Sequence, residues 1–392
     1  MSRASVKLRG ITWNHSRGFL PMVATAQRFS EVHPDVEIDW AKRSLQKFAD
    51  DPVDKLAEEF DFLVIDHPSA GYAAAHGTLL PLDEYLPSSF LSDQAKRSVG
   101  KSHESYFYDG HQWALAIDAS APVSSWRQDL LERHGIARPE TWDELIELAR
   151  TGVVAVPAIP IDSLMNFYML CHAVGEKPFL NTRQVVRQEV GVQALSILRQ
   201  LLGFCEPECF SRNPIATYEV MCSSDSIAYC PFAFAYSNYS RPGYAQNLIH
   251  FGDLVSFGEK GRLCSTLGGA GLAVSARCRH QEAAVAYAKS VAGGECQRTL
   301  YFESGGQPGH RAAWEDQQVN KASNGFFERI LPAMDRAYLR PRYDGYLDFQ
   351  DKAGQVVQQH LREGGNALPV VEQLDRLYVE SQSPEIHRQD AL

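Results

Sequence analysis

Hydrophobic and polar positions along this chain switch repeatedly between a period of two and a period near 3.6. Residues 6–13 read as a first strand, and 21–32 as an amphipathic helix with Met22, Val23, Ala26 and Phe29 at helical spacing. Residues 36–40 alternate as a half-buried strand, and 52–60 supply a helix whose proline stands in the tolerated first turn. Residues 62–65, apolar throughout, suit the middle of a parallel sheet. A hairpin is predicted over 106–117, turning at Asp109 and Gly110. Further strands are predicted at 153–156, 226–230 and 248–251, and further helices at 164–174, 190–202, 345–360 and 369–380. Strands alternating with helices are the pattern of α/β lobes.

Length turns one lobe into two, because 392 residues exceed what a single hydrophobic core supports. Apolar residues at 44% and charged residues at 22% describe a globular chain with little room for disorder. The 38 Lys and Arg against 48 Asp and Glu leave a net charge of −10, without a basic stripe, so no nucleic-acid partner is expected. No apolar run approaches the roughly 18 residues of a span, so no membrane insertion is expected either. The first ten residues carry no apolar signal core and no lipoprotein cysteine. Eight cysteines, Cys171, Cys205, Cys209, Cys222, Cys230, Cys264, Cys278 and Cys296, sit singly in apolar or helical surroundings, as reduced thiols do. A cytoplasmic protein is the expectation, the alternative being a periplasmic one whose signal peptide has been removed.

Two segments narrow the class. Arg138-Pro139-Glu140-Thr141-Trp142-Asp143-Glu144-Leu145 is a helix start in which Thr141 caps and Glu144 reaches back as the capping-box acid. Gly268-Gly269-Ala270-Gly271-Leu272-Ala273-Val274 is a strand opened by glycines, followed by an alanine-rich helix and the turn Gly305-Gly306-Gln307-Pro308. Together with Leu79-Leu80-Pro81-Leu82-Asp83, and in this order over nearly the whole chain, they resemble the family 1 extracellular solute-binding proteins, the carbohydrate-type receptors of ABC importers. The resemblance implies an α/β fold, a two-lobed periplasmic-binding-protein-like clamp of type II with its ligand cleft between the lobes. Lobe 1 is expected from 1–117 and 268–325, and lobe 2 from 118–267 and 326–392. A small-molecule ligand, no cofactor, no metal and a monomer are implied, with an ABC permease as partner if the chain is exported.

Candidate ligand residues follow from asking which polar or aromatic side chains end strands, since open α/β sheets bind at the carboxyl ends of their strands. Trp13, Asn14 and His15 follow the first strand, and Asp66 and His67 the third. Asp118 stands at the expected crossover, where a carboxylate accepts hydrogen bonds from hydroxyls or a cationic group, or caps the next segment. Tyr229, Phe232 and Tyr236 offer either a stacking wall or core packing. Gly269 permits a close backbone approach. Arg340 and Arg342, with Arg17, Arg241 and Arg311, hint at an acidic ligand, because a guanidinium binds carboxylate or phosphate through two parallel hydrogen bonds.

The reading is therefore a binding protein for a small polar, acidic or carbohydrate-like organic ligand. A cytoplasmic sensor is a second class. An enzyme on the same fold is a third, using Asp66, His67 and Asp118 as acid and base, or Cys230 as nucleophile beside a histidine.

Overall fold

The computed structural model describes residues 6–45 and 52–382; part of the N-terminal stretch read for an export signal lies outside them. Among the described residues ten strands follow in chain order: β1 (Val6–Trp13), β2 (Val36–Arg43), β3 (Phe62–Ile65), β4 (Phe107–Tyr108), β5 (His111–Gln112), β6 (Leu115–Ser120), β7 (Pro122–Trp126), β8 (Tyr229–Phe234), β9 (His250–Gly252) and β10 (Gly268–Val274). The chain forms two compact units, Met1–Ser120 with Gly268–Ser323, and Ala121–Leu267 with Asn324–Leu392.

The first unit is built on a five-stranded sheet in the order β2-β1-β3-β10-β6. β1 pairs in parallel with β2 and β3, whereas β10 runs antiparallel to both β3 and β6. Both faces are buried. Phe62, Val64, Leu115 and Ile117 enter one apolar cluster, and Leu63, Ile65, Ala114 and Ala116 the other. That two-sided burial is why β3 carries no polar alternation. The hairpin of β4 and β5 turns through Asp109 and Gly110, both at positive φ (49° and 84°), and is shorter than its sequence suggested. β6 leaves it to join the main sheet beside β10, which a local pattern cannot announce.

The second unit carries a three-stranded antiparallel sheet in the order β8-β7-β9, under a layer of helices. The helices Pro160–Val174, Gln188–Leu202 and Tyr346–Glu363 pack on one another around Leu164, Phe167, Leu195, Leu198, Phe349 and Val357. The expected capping box is present: Thr141 Oγ1 accepts from Glu144 N at 3.3 Å, and Glu144 Oε2 accepts from Thr141 N at 3.2 Å. Two strand positions differ from expectation. Residues 153–156 contribute only the parallel bridge of Val154 to Tyr229, and the strand expected at 226–230 starts at Tyr229 and runs on to Phe234. A nearly continuous apolar run fixes burial but not the ends of the element within it.

Candidate functional site

The register of the first sheet decides which residues share an edge. β1 and β3 run in parallel, with Ile11 opposite Leu63, so Trp13 and the pair Asp66-His67 stand at neighbouring carboxyl ends. β10 pairs Gly271 with Ile65 on one side and Ala270 with Asp118 on the other, which brings Asp118 of β6 to that same edge. Asp118 thus lies inside the first unit, two residues before the chain passes to the second.

The helix Ser16–Val32 starts at this edge. His15 is its N-cap, accepting from Arg17 N through Nδ1 at 3.0 Å, so the helix begins five residues earlier than its apolar periodicity indicated. Burial, and then the charge of Arg17, push His15 down to about 3, so its ring is neutral at physiological pH. Asn14 is exposed, its backbone N–H held by Arg43 O at 2.7 Å. Trp13 is buried at 4% exposure, and Gly18 lies against its indole so closely that a Cβ there would come within 2.3 Å of the ring. The Arg17 guanidinium lies 6.0 Å from the same ring.

Arg17 then turns to Asp118. Its Nε donates to Oδ2 at 2.8 Å and its Nη2 to Oδ1 at 2.5 Å, and the two residues are 4% and 1% exposed. Desolvation holds the Asp118 carboxyl above the ordinary carboxylate value, and the guanidinium offsets only part of that rise. Of the partners open to Asp118 in the sequence, hydroxyls or a cationic group, the structure supplies a cationic one within the same unit. Both of its oxygens receive Arg17, so it fixes the arginine and cancels its charge. His67 is buried at 1% exposure, with Nδ1 3.2 Å from Asp66 Oδ1, which also accepts from His67 N at 2.8 Å.

Gly269 has φ at 110°, and a Cβ there would meet the Asp118 carbonyl oxygen at 2.4 Å. Its part is the close pairing of β10 with β6 beside the ion pair. Arg311 is spent on Ser98 O, to which its Nε donates at 3.0 Å.

In the second unit the aromatics, open to a stacking wall or to core packing, are placed in the core. Tyr229 and Phe232 are core residues at 0% and 1% exposure, and Phe232 stacks on Trp142 at 6.5 Å. Tyr236 is buried among Tyr218 and Tyr239. Arg340 is buried and donates to Gln350 Oε1 at 2.7 Å, while Arg342 is half-buried. Burial lowers Arg241 to about 10. Cys230 is fully buried, and desolvation pushes its thiol up to about 12, the reverse of what a thiolate nucleophile needs. Among the described residues no group of three or more His, Cys, Asp or Glu is placed to hold a metal ion.

Sequence reasoning missed Asp162. It stands in the first turn of the helix Pro160–Val174, 4% exposed, with Oδ2 making no hydrogen bond to any described residue. Desolvation lifts it to about 8, which leaves it a neutral acid at pH 7, able to donate as well as accept. Its signal was available: it is the sole Asp, Glu, Lys or Arg between Arg150 and Glu176.

Residues 13–171 match the family model described as bacterial extracellular solute-binding protein. A mannitol-binding protein of Pseudomonas aeruginosa is 27% identical over 140 residues, which make up 34% of this chain and 31% of the relative, so the match spans less than a third of that protein. Among solved structures, maltose-bound MalE3 of T. maritima superposes with a TM-score of 0.81 at 18% identity, covering 95% of this chain and 99% of that one. An ABC transporter solute-binding protein of Agrobacterium radiobacter in complex with ribitol gives 0.82 at 16%, covering 97% and 100%. One from Agrobacterium vitis with bound D-mannitol gives 0.76 at 15%, covering 99% of each chain. These structural likenesses establish the fold. Among the described residues no helix is long and apolar enough to cross a membrane.

Proposed function

We propose that this chain, which belongs to the bacterial extracellular solute-binding proteins, binds a small neutral polyhydroxylated solute, a sugar or a polyol, and releases it unchanged. The observation that carries the choice of ligand is the Arg17–Asp118 pair. It places a guanidinium at the strand-end edge beside Trp13 whose charge is met by a carboxylate. An indole beside a neutralised ion pair suits an uncharged molecule that presents C–H faces and hydroxyls. An acidic ligand would require an uncompensated cation, and Asp118 removes the one that Arg17 would supply. The polyol and sugar ligands named for the similar proteins point the same way.

A binding role is favoured over catalysis by the protonation states: the Cys230 thiol is raised and the His15 ring is tied up as a cap. On this reading the protein works as a monomer. Eight cysteines, none in a disulfide, support a reducing compartment, where such a protein senses or buffers its solute; an ABC permease is the onward partner of an exported form.

Titration calorimetry with mannitol, ribitol and maltose tests the reading. At least one should bind in the micromolar range, and its sugar acid should bind more weakly. Tighter binding of the acid, or conversion of the ligand during the titration, would overturn it.

A further inference from the structure

We propose that the second unit carries a separate site for a small amphiphilic carboxylate, in the pocket bordered by the helices Gln188–Leu202 and Tyr346–Glu363. The cavity measures about 1010 Å³, enough for one such molecule. Arg199 enters it from the first helix and Arg362 from the second. Neither makes an ion pair or a side-chain hydrogen bond with any described residue, and no acidic side chain lines the cavity.

Two arginines without a carboxylate partner among the described residues thus border one cavity of an acidic chain. Its net charge is −10, and Arg127, Arg133, Arg187, Arg212, Arg262 and Arg336 of the same unit all sit against carboxylates. The Arg199 guanidinium lies across Gly364, where a Cβ would come within 2.2 Å of Nη2. With φ at 80°, the glycine both makes the turn and leaves that space open.

Two further features point at an anion. His360 lines the pocket at 7% exposure with no hydrogen bond from its ring to any described residue. Burial and the charge of Arg199 lower it, so a neutral ring presents one N–H as a donor. The helix Leu368–Ser381 begins at the rim beside Asn366 and Ala367, which adds the positive end of its dipole. Phe204, Phe210, Leu361 and Val192 supply the apolar remainder of the wall. Two guanidinium groups on a lining that is otherwise partly apolar favour a carboxylate on a hydrophobic body.

The test is a titration of the full chain with naphthoate, and with naphthylmethanol as the uncharged control, by calorimetry or protein NMR. Naphthoate should bind about tenfold or more tightly than the alcohol, as charge-assisted hydrogen bonds require. The preference should shrink with added salt. It should vanish in the double variant R199Q/R362Q, whose exposed positions leave the melting temperature unchanged. Equal binding of acid and alcohol overturns the proposal, as does a preference that survives in the double variant. Neither probe is a polyol, so failure here leaves the polyol reading standing.

Discussion

Arg17 and Asp118 belong to a helix that follows β1 and to β6, strands separated in the sheet by β3 and β10, yet their side chains form a two-pronged buried ion pair. Each charge is tolerable only because of the other. Asp118→Asn should therefore destabilise the protein by about 3 kcal/mol or more, with a guanidinium left uncompensated, whereas Arg17→Gln combined with Asp118→Asn should recover part of that loss. Urea unfolding of the four proteins of the cycle decides; a neutral Asp118→Asn would show that the pair is dispensable. The same single variant should shift ligand preference from polyols toward acids.

The His15 cap makes stability depend on pH. Its folded value, near 3, lies below the ordinary 6.5, so the unfolded chain binds the extra proton between them. Stability should fall as pH drops through that window, by up to about 1.4 kcal/mol per unit. His15→Asn keeps a capping side chain and removes the proton, so its urea midpoint should change less than that of the parent between pH 7 and pH 5.

Asp162 should act with the opposite sign. The folded protein holds its proton up to about 8 while the unfolded chain releases it near 3.8, so stability declines as pH rises across that interval. Asp162→Asn should flatten this decline and be more stable than the parent at pH 8. An unchanged slope would mean that the carboxyl ionises freely in the folded state.

All eight cysteines should titrate as thiols in denaturant without reductant. In the native protein Cys171, Cys209, Cys222, Cys230 and Cys278 should stay silent, because they are buried and their thiols are raised. A shortfall of two thiols in denaturant would reveal a disulfide.

Gly269→Ala should lower the thermal midpoint. The substitution combines a positive φ with contact against the Asp118 carbonyl, and strain of this type amounts to about 1–3 kcal/mol. A parent-like midpoint would show that β10 and β6 can part without loss.

What the sequence discloses here is local. The bounds of β1 and β3 and the Thr141 capping box are written in adjacent residues, and the structure has them where the pattern indicates. The strand-end placement of Trp13 and His67 follows from the same periodicity. The partner of Arg17 does not, because Asp118 lies 101 residues away and nothing near either one names the other. Tyr229 and Phe232 stay open in the sequence for a related reason: an aromatic in a strand looks the same whether it faces a ligand or, as Phe232 does, Trp142. Asp162 shows the remedy, since a lone acid in an apolar run is itself a statement about burial.

The position of β10 in the first sheet has a consequence for synthesis. It fills the gap between β3 and β6, yet it is translated only after β7, β8 and β9 of the other unit. A nascent chain that has reached residue 267 therefore holds two facing strand edges with nothing between them, exposing main-chain groups that invite wrong pairing. The N-terminal unit cannot finish first, as units made of one contiguous segment do on the ribosome. Its early strands must wait, protected or unpaired, for a segment that emerges when two-thirds of the polypeptide already exists.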